Sequence, residues 1–464
     1  MGKRRQPMDV RANIAVRKWC REKRQTIRAR RFNDHMNNSR PYKALTVAIL
    51  FCVSAGAISM NAFQFKPDPS DDADFIARAQ QKSVAGIRVS ASALGAGESQ
   101  RSFGENLAKY GIQPVWLSIE NDTDDQLVYV QIATDPEYYS PYEVSYRFHG
   151  AFSSAANRAR DLFFLQRQMP SILPPHSRTT GFAYGVLDAG VKYAHILVAG
   201  NKRLETFDFA LPVPGAAFVG TNVRTDSIYP GQKVEDLDLD TLKTTLAKYP
   251  CCTTDSGATH DGDPINLVIL ESKRDPIVPF IARDWHMTQK LDVASMIETV
   301  RAFIFRDEYL TSPVSPLYVF GRREDLALQK ARSTINERIH TRLWLTPYTF
   351  ESRRLWIGQV SRDIGVRLTD QTWNLTTHKI GPDVDFDRGY LLQDLLMSGF
   401  VERYGFVDGV RAATMSAPRT NLTGDPYYTD GLRAVVFLSD ETKPLSEIER
   451  LPWELPPAPR EEAR

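Results

Sequence analysis

The chain has 464 residues, 42% hydrophobic and 25% charged, the proportions of an ordinary globular protein with room for two or three domains. Its formal net charge of +2 conceals a segregation, because the first 43 residues hold most of the excess positive charge and the remainder is net acidic. That excludes nucleic-acid binding by the bulk of the chain, and four scattered cysteines exclude a disulfide scaffold.

Residues 1–43 form a basic tail carrying Arg4, Arg5, Arg17, Lys18, Arg21, Lys23, Arg24, Arg28, Arg30, Arg31, Arg40 and Lys43. Ala44 to Phe65 then run for 22 residues without a formal charge, long enough to cross the hydrocarbon of a bilayer as a transmembrane helix. Asp68, Asp71, Asp72 and Asp74 follow, so the Lys/Arg asymmetry places the N-terminus in the cytoplasm and everything after Phe65 on the far side. The basic region and the apolar stretch are both longer than a cleaved signal peptide has. Beside such a span the basic cluster reads as an orientation signal in contact with anionic lipid, so the lipid bilayer is the first expected partner.

After a juxtamembrane linker, 66–86, residues 87–212 show short β runs separated by turns: IRVSASAL, IQPVWLSIEN, QLVYVQIA, EVSYRF, GFAYGVLDAGVKYAHILVAG and LETFDFAL. This pattern predicts an immunoglobulin-like β-sandwich, interrupted by one helix over 153–168. Residues 213–250 read as a linker with a short helix from Leu239 to Tyr249. Its EDLDLD run lacks the glycine and distal glutamate of a calcium loop.

Residues 251–440 mix strands (INLVILE, PLYVF, HTRLWLT, RRLWIGQVSRDIGVRL, a polar segment ending in THKI, AVVFLSD) with helices near 277–283, 294–305 and 386–398, which predicts an α+β domain. The adjacent Cys251 and Cys252 could close only a tight ring, so two buried thiols are expected, with a vicinal disulfide as the alternative in an oxidising compartment. The proline-rich, charged residues 441–464 read as a disordered tail.

The last domain carries several long motifs in order: Gly262-Asp263-Pro264-Ile265-Asn266-Leu267-Val268, Ser315 to Arg322 (SPLYVFGR) with Asp325, His340-Thr341-Arg342-Leu343-Trp344, Arg362-Asp363-Ile364-Gly365, and His378 to Asp385 (HKIGPDVD) with Arg388. In these it resembles the LssY-like C-terminal domain of bacterial envelope proteins. That resemblance implies a protein of the bacterial inner membrane with periplasmic domains; the family has no established activity. Some relatives carry the domain on a lipid-phosphatase-like membrane region, but the Pro-Ser-Gly-His signature of those phosphatases is absent here, and phosphatase activity does not transfer.

Within these motifs His340, Asp363, His378 and Asp385 are the candidate catalytic residues, and Arg342, Arg362, Lys379 and Arg388 the candidate binding residues. Antiparallel pairing of the HTRLW and RRLW strands would bring His340 near Arg362 and Asp363, with His378 alongside on the next strand. Two imidazoles and two carboxylates are a set that could hold a divalent metal or perform general acid/base work; no cofactor is predicted. The competing reading is a buried network in which Arg342 and Arg362 neutralise Asp363 and Asp385. Asp383, Asp385 and Asp387 mimic an EF-hand, but Arg388 stands where glycine is required, so they are expected to cap the following helix. Gly-x-Ser-x-Gly, His-Glu-x-x-His, phosphate-loop and Cys-x-x-Cys motifs are absent. The expectation is an anchored envelope protein acting by binding another envelope component, with a hydrolase of an envelope substrate as the alternative.

Overall fold

In the computed structural model the described residues are 65–457, excepting 70–71, 152, 189, 216–222, 224, 273–275, 289–315, 332–337 and 369–375. The apolar stretch 44–64, the basic tail and the helix expected over 294–305 therefore lie outside them. Among the described residues no helix is long and apolar enough to cross a membrane.

Among the described residues the first elements are α1 (Asp72–Ala77) and β1 (Gln80–Val84), which pairs antiparallel with β2 (Ile87–Ala93). The segment 66–86, which reads as a linker, is thus the first edge of a sheet. After α2 (Ala96–Phe103), β2 pairs with β3 (Ile112–Asn121). Next come β4 (Leu127–Tyr129), α3 (Gln131–Thr134), α4 (Pro141–Tyr146), α5 (Ser154–Arg167) and β5 (Ile172–Leu173). β6 (Ser177–Val186), β7 (Val191–Gly200) and β8 (Arg203–Pro212) complete two four-stranded sheets, ordered β1-β2-β3-β6 and β5-β4-β7-β8. Alternate residues of both sheets meet in one core: Val89, Leu117 and Ala183 from the first, Tyr129, Ile196 and Phe207 from the second. This strand order establishes a two-sheet β domain rather than the immunoglobulin arrangement in particular.

The EVSYRF run alternates like a strand, yet it falls in α4. Ser140 accepts from the Glu143 amide (3.3 Å) while the Glu143 carboxylate accepts from the Ser140 amide (2.7 Å), and Pro141 occupies the first turn. This capping box with an N-terminal proline outweighs the alternation. α4 and α5 form a helical layer on the outer face of the first sheet, where Val144 and Phe164 pack with Phe103, Trp116, Phe182 and Tyr184.

Beyond β9 (Glu235–Leu237) and α6 (Leu239–Lys248), the second half is built on a ten-stranded sheet among the described residues. A small sheet holds β10 (Cys252–Thr254) and β11 (Asp261–Pro264) with the later β14 (Tyr318–Val319) and β15 (Arg322–Arg323). The main sheet uses β12 (Leu267–Leu270), β13 (His286–Met287, after α7, Val278–Ile281), β16 (Leu326–Ala331), β17 (Arg338–Phe350), β18 (Arg353–Leu368) and β19 (Thr376–Ile380). α8 (Val384–Leu396), β20 (Val401–Asp408), the short pair β21 (Arg419–Thr420) and β22 (Pro426–Tyr427), β23 (Leu432–Leu438) and β24 (Glu449–Arg450) follow.

β17 and β18 form the predicted antiparallel hairpin, turning through Glu351 and Ser352, whose φ values are 50° and 62°. Asp236 holds that turn by accepting from the Ser352 amide (2.9 Å) and the Thr349 hydroxyl (2.7 Å). β12 pairs parallel with β23 and antiparallel with β18. One face of the sheet buries Leu267, Leu343, Trp356 and Val436 against α7 and α8, and the other buries Val268, Trp344, Ile357 and Phe437 against Leu242 and Leu246 of α6. Helices on both faces of a mixed sheet make this half α+β. Val191 and Ala210 of the first half join the α7 side of that core.

Asp383 accepts from the Phe386 amide (3.0 Å) and caps α8, as its place after Gly381-Pro382 predicts. The expected disordered tail is different. β24 pairs parallel with β20, Leu451 is buried, and the Leu451 amide donates to the Tyr404 carbonyl (2.8 Å), so Leu451 and Trp453 dock the segment on the sheet.

Candidate functional site

The candidate residues sit on β17, β18, β19 and α8, where long strands place polar side chains in register. His340 faces Ser361 across the β17–β18 ladder, and Asp363 lies two residues further along β18. The pairing brings His340 and Asp363 together: His340 Nε2 lies 3.0 Å from Asp363 Oδ1. Both are buried, at 3% and 2% exposure. On its other side the imidazole accepts, through Nδ1, from Arg342 Nη1 (3.1 Å), and Arg342 also donates to Gln359 Oε1 (2.9 Å). Arg338 Nε donates to Asp363 Oδ2 (2.8 Å), and Arg338 Nη1 to Gln329 Oε1 (2.7 Å).

One donor beside Nδ1 and one acceptor beside Nε2 are what a neutral imidazole protonated on Nε2 requires, a tautomer assigned from its partners. Burial, with the Arg342 and Arg338 charges adding to it against the Asp363 carboxylate, pulls the His340 pKa down to about 4. Both ring nitrogens are therefore committed to protein groups, and the one in-plane lone pair, on Nδ1, is taken by Arg342 and not open to a metal. Asp263 borders the same cluster: burial raises its carboxyl despite the Arg342 charge and the 3.1 Å bond from Asn421 Nδ2.

The remaining candidates separate. Asp385 accepts from the Thr429 hydroxyl (2.7 Å) and the Asp430 amide (2.6 Å), and Arg388 binds Asp430 through both terminal nitrogens at 2.8 Å. Arg362 pairs with Asp387 (3.1 Å) and lies 4.7 Å from the Tyr390 ring centroid. The expected neutralisation is thus redistributed: Arg338 neutralises Asp363, to which the neutral His340 only donates a hydrogen bond, Arg362 serves Asp387, and Arg388 serves Asp430 and Asp385. β19 places His378 opposite Val366, three residues beyond Asp363 on β18; its side chain lies outside the described residues. Lys379 is exposed.

Other motif residues hold the framework. Asn266, fully buried, accepts from the Val360 amide (3.0 Å) and donates to the Val360 and Val384 carbonyls, tying β12 to β18 and to the start of α8. Asp325 accepts from the Leu345 amide (2.7 Å) and from Arg322 (2.9 Å), bracing the end of β17.

The sequence did not point to an open cleft that this domain carries among the described residues. A cleft of about 660 Å³ is lined by Asp255, His260, Asp261, Arg419, Asn421 and neighbours. Asp261 accepts from Arg411 (3.1 Å) and Arg419 (2.9 Å). Cys251 lies beneath, with Sγ 3.9 Å from the Asp261 carboxylate, and is joined to Cys252 as a vicinal disulfide with Cα atoms 3.7 Å apart. Buried thiols, the expected state, are replaced by this bridge. Cys251, Cys252 and Asp261 are the group that brings three ligand-type atoms within 4.8 Å among the described residues. With the sulfurs bonded to each other and two guanidinium groups on Asp261, that group does not suit a cation.

A protein-family model, described as the LssY C-terminus, matches residues 243–432. No curated protein matches. Among solved structures, a copper-bound PCuAC domain from PmoF2 is similar at 12% identity, covering 29% of this chain and 99% of that one, with a TM-score of 0.16; a superposition that weak carries no argument about fold or function.

Proposed function

Because residues 243–432 form an LssY-like C-terminal domain, we propose that this chain is a single-pass protein of the bacterial inner membrane whose exported domains bind another component of the envelope rather than catalyse a reaction. The apolar run Ala44–Phe65 is the anchor, with the basic tail in the cytoplasm. The two-sheet domain serves in the manner of an immunoglobulin-like recognition module, and the cleft of the C-terminal domain is the contact site.

The observation that carries this reading is the commitment of His340. A hydrolase would need His340 or Asp363 to reach water or substrate, and both are buried with their polar atoms engaged by protein groups. Asp255, His260 and Arg419, by contrast, offer donors and acceptors at an open cleft.

A photo-crosslinking residue placed at Thr420, on the cleft, tests the proposal in intact cells. The expected result is a discrete adduct with an envelope component that is lost on Asp261→Lys and absent when the crosslinker stands at Leu204. Equal, diffuse labelling at both positions would overturn it. Alkaline phosphatase fused after Arg464 is expected to be active; an inactive fusion with a fluorescent cytoplasmic reporter at the same place would overturn the export.

A further inference from the structure

The vicinal bridge between Cys251 and Cys252 joins neighbouring residues, so it takes little freedom from the unfolded chain compared with the long loops that stabilising disulfides close. Its place in the fold is more telling, because its two sulfurs are wedged between two walls of the cleft. Cys251 Sγ lies 3.9 Å from the Asp261 carboxylate on β11, and Cys252 Sγ lies 3.9 Å from the Tyr427 hydroxyl on β22. Tyr427 stands opposite Arg419 in the β21–β22 pair, and Arg419 donates to Asp261 (2.9 Å). Asp261, Arg419 and Tyr427 thus form a closed circuit around the bridge.

A second connection runs through the backbone. Arg433, fully buried, donates through Nη2 to the carbonyls of Tyr249 (3.0 Å) and Pro250 (2.8 Å), just before the bridge, and of Gly409 (2.7 Å), two residues before Arg411. Arg411 in turn donates to the Asp261 carboxylate (3.1 Å). Both guanidinium groups that hold Asp261 are therefore tied to the bridge, Arg419 through Tyr427 and Arg411 through Arg433. Asp261 and Arg419 line the open cleft, so a change in the cysteine pair reaches its walls directly.

We propose that Cys251–Cys252 is a redox-modification site that switches the cleft between two states, with a dithiol as its reductant. The dithiol enters from the cleft, and its thiolate attacks the sulfur of Cys251, the more exposed of the two residues at 7% against 3%. The sulfur–sulfur bond breaks, Cys252 leaves as a thiolate, and the second thiol of the reductant resolves the mixed disulfide. Two electrons pass to the pair, the two protons of the dithiol end on the Cys251 and Cys252 thiols, and the reductant leaves as its own disulfide. Arg411 and Arg419, two positive charges against the one carboxylate of Asp261, favour the thiolates formed on the way. Unbonded sulfurs must move apart to van der Waals separation, so the freed pair presses Cys251 towards Asp261 and Cys252 towards Tyr427. The contacts of Asp261 with Arg411 and Arg419 then loosen. As regulation of the contact site this rests on the reading above, whereas the change in the cleft itself does not depend on what the cleft binds.

Amide hydrogen exchange of the full chain, purified in detergent without reductant, tests this before and after dithiothreitol. Maleimide labelling read by mass spectrometry is expected to find Cys251 and Cys252 unlabelled at first and both labelled after reduction. Exchange over residues 252–265 and 419–428 should then quicken several-fold while β7 and β8 stay unchanged. The chain carrying Cys251→Ser and Cys252→Ser, which cannot form the bridge, should exchange like the reduced protein and ignore dithiothreitol. The proposal is overturned if both cysteines label before any reductant, if they resist dithiothreitol in the folded protein, or if they are reduced with no change in exchange over the two segments. The crosslinker at Thr420 separates this failure from that of the contact reading. Quickened exchange with no discrete adduct in either redox state upholds the switch and removes the contact site.

Discussion

Replacing His340 by glutamine tests the buried network through its pH dependence. In the folded protein His340 is held neutral, with its pKa pulled down from 6.5 to about 4, so the unfolded chain takes up this proton first as the pH falls. Stability contributed by the neutral imidazole is present above the unfolded value and is lost as the pH drops through the window between the two. A shift of that size corresponds to about 3 kcal/mol for a group this deeply buried. Glutamine keeps a donor for Asp363 and an acceptor for Arg342 but does not titrate. The His340→Gln stability measured relative to wild type should therefore rise by about 3 kcal/mol between about pH 7 and about pH 4. The assay is urea unfolding of residues 64–464, the compact unit of the chain, followed by the fluorescence of buried Trp344 and Trp356 at a series of pH values. A difference that does not change with pH would refute the reasoning. One that changes in the opposite sense would show that His340 is a cation paired with Asp363.

Asp387 behaves in reverse, since burial pushes its carboxyl up to about 6 against the Arg362 bond. It costs stability as the pH rises from about 4 to about 6, so Asp387→Asn should gain stability on wild type across that range, read in the same titration. Asp363→Ala leaves buried Arg338 without its carboxylate and should cost about 3–5 kcal/mol in urea unfolding. Gly358→Ala would set a Cβ 2.5 Å from Leu343 Cδ2 and 3.0 Å from the Arg342 carbonyl, a backbone approach that should cost about 1–3 kcal/mol by the same measurement. Ser140→Ala removes one half of the α4 capping box and should cost about 1 kcal/mol, seen as a lower thermal midpoint.

Much of the fold is legible in the sequence where pattern and local chemistry agree. The β17–β18 hairpin announces itself by two long apolar-polar runs flanking a short connection, and Asp383 stands where a helix needs a cap. α4 was hidden because Glu-Val-Ser-Tyr-Arg-Phe alternates like a strand, and only the Ser140-Pro141-Glu143 start signals a helix. The docked segment after Lys443 was hidden because its composition is that of a free tail, while its fixing contacts come from β20, nearly fifty residues away in sequence.

The candidate site divides in the same way. The His340–Asp363 contact follows from strand pairing, but Arg338, the stronger partner of Asp363, lay just outside the motif that drew attention. Its position two residues before His340, on the same face of a strand, is the signal that could have found it. The cleft was invisible because Asp261 meets Arg411 and Arg419 across about 150 residues of sequence, and no spacing rule reaches that far.

The central claim, that the His340–Asp363 cluster is a structural network and not a metal or catalytic centre, is tested most directly by elemental analysis of the full chain purified from membranes, beside His340→Gln. The account predicts no near-stoichiometric zinc, manganese or iron whose content depends on His340. One equivalent of metal in the wild type, lost in the variant while the fold persists, would contradict it.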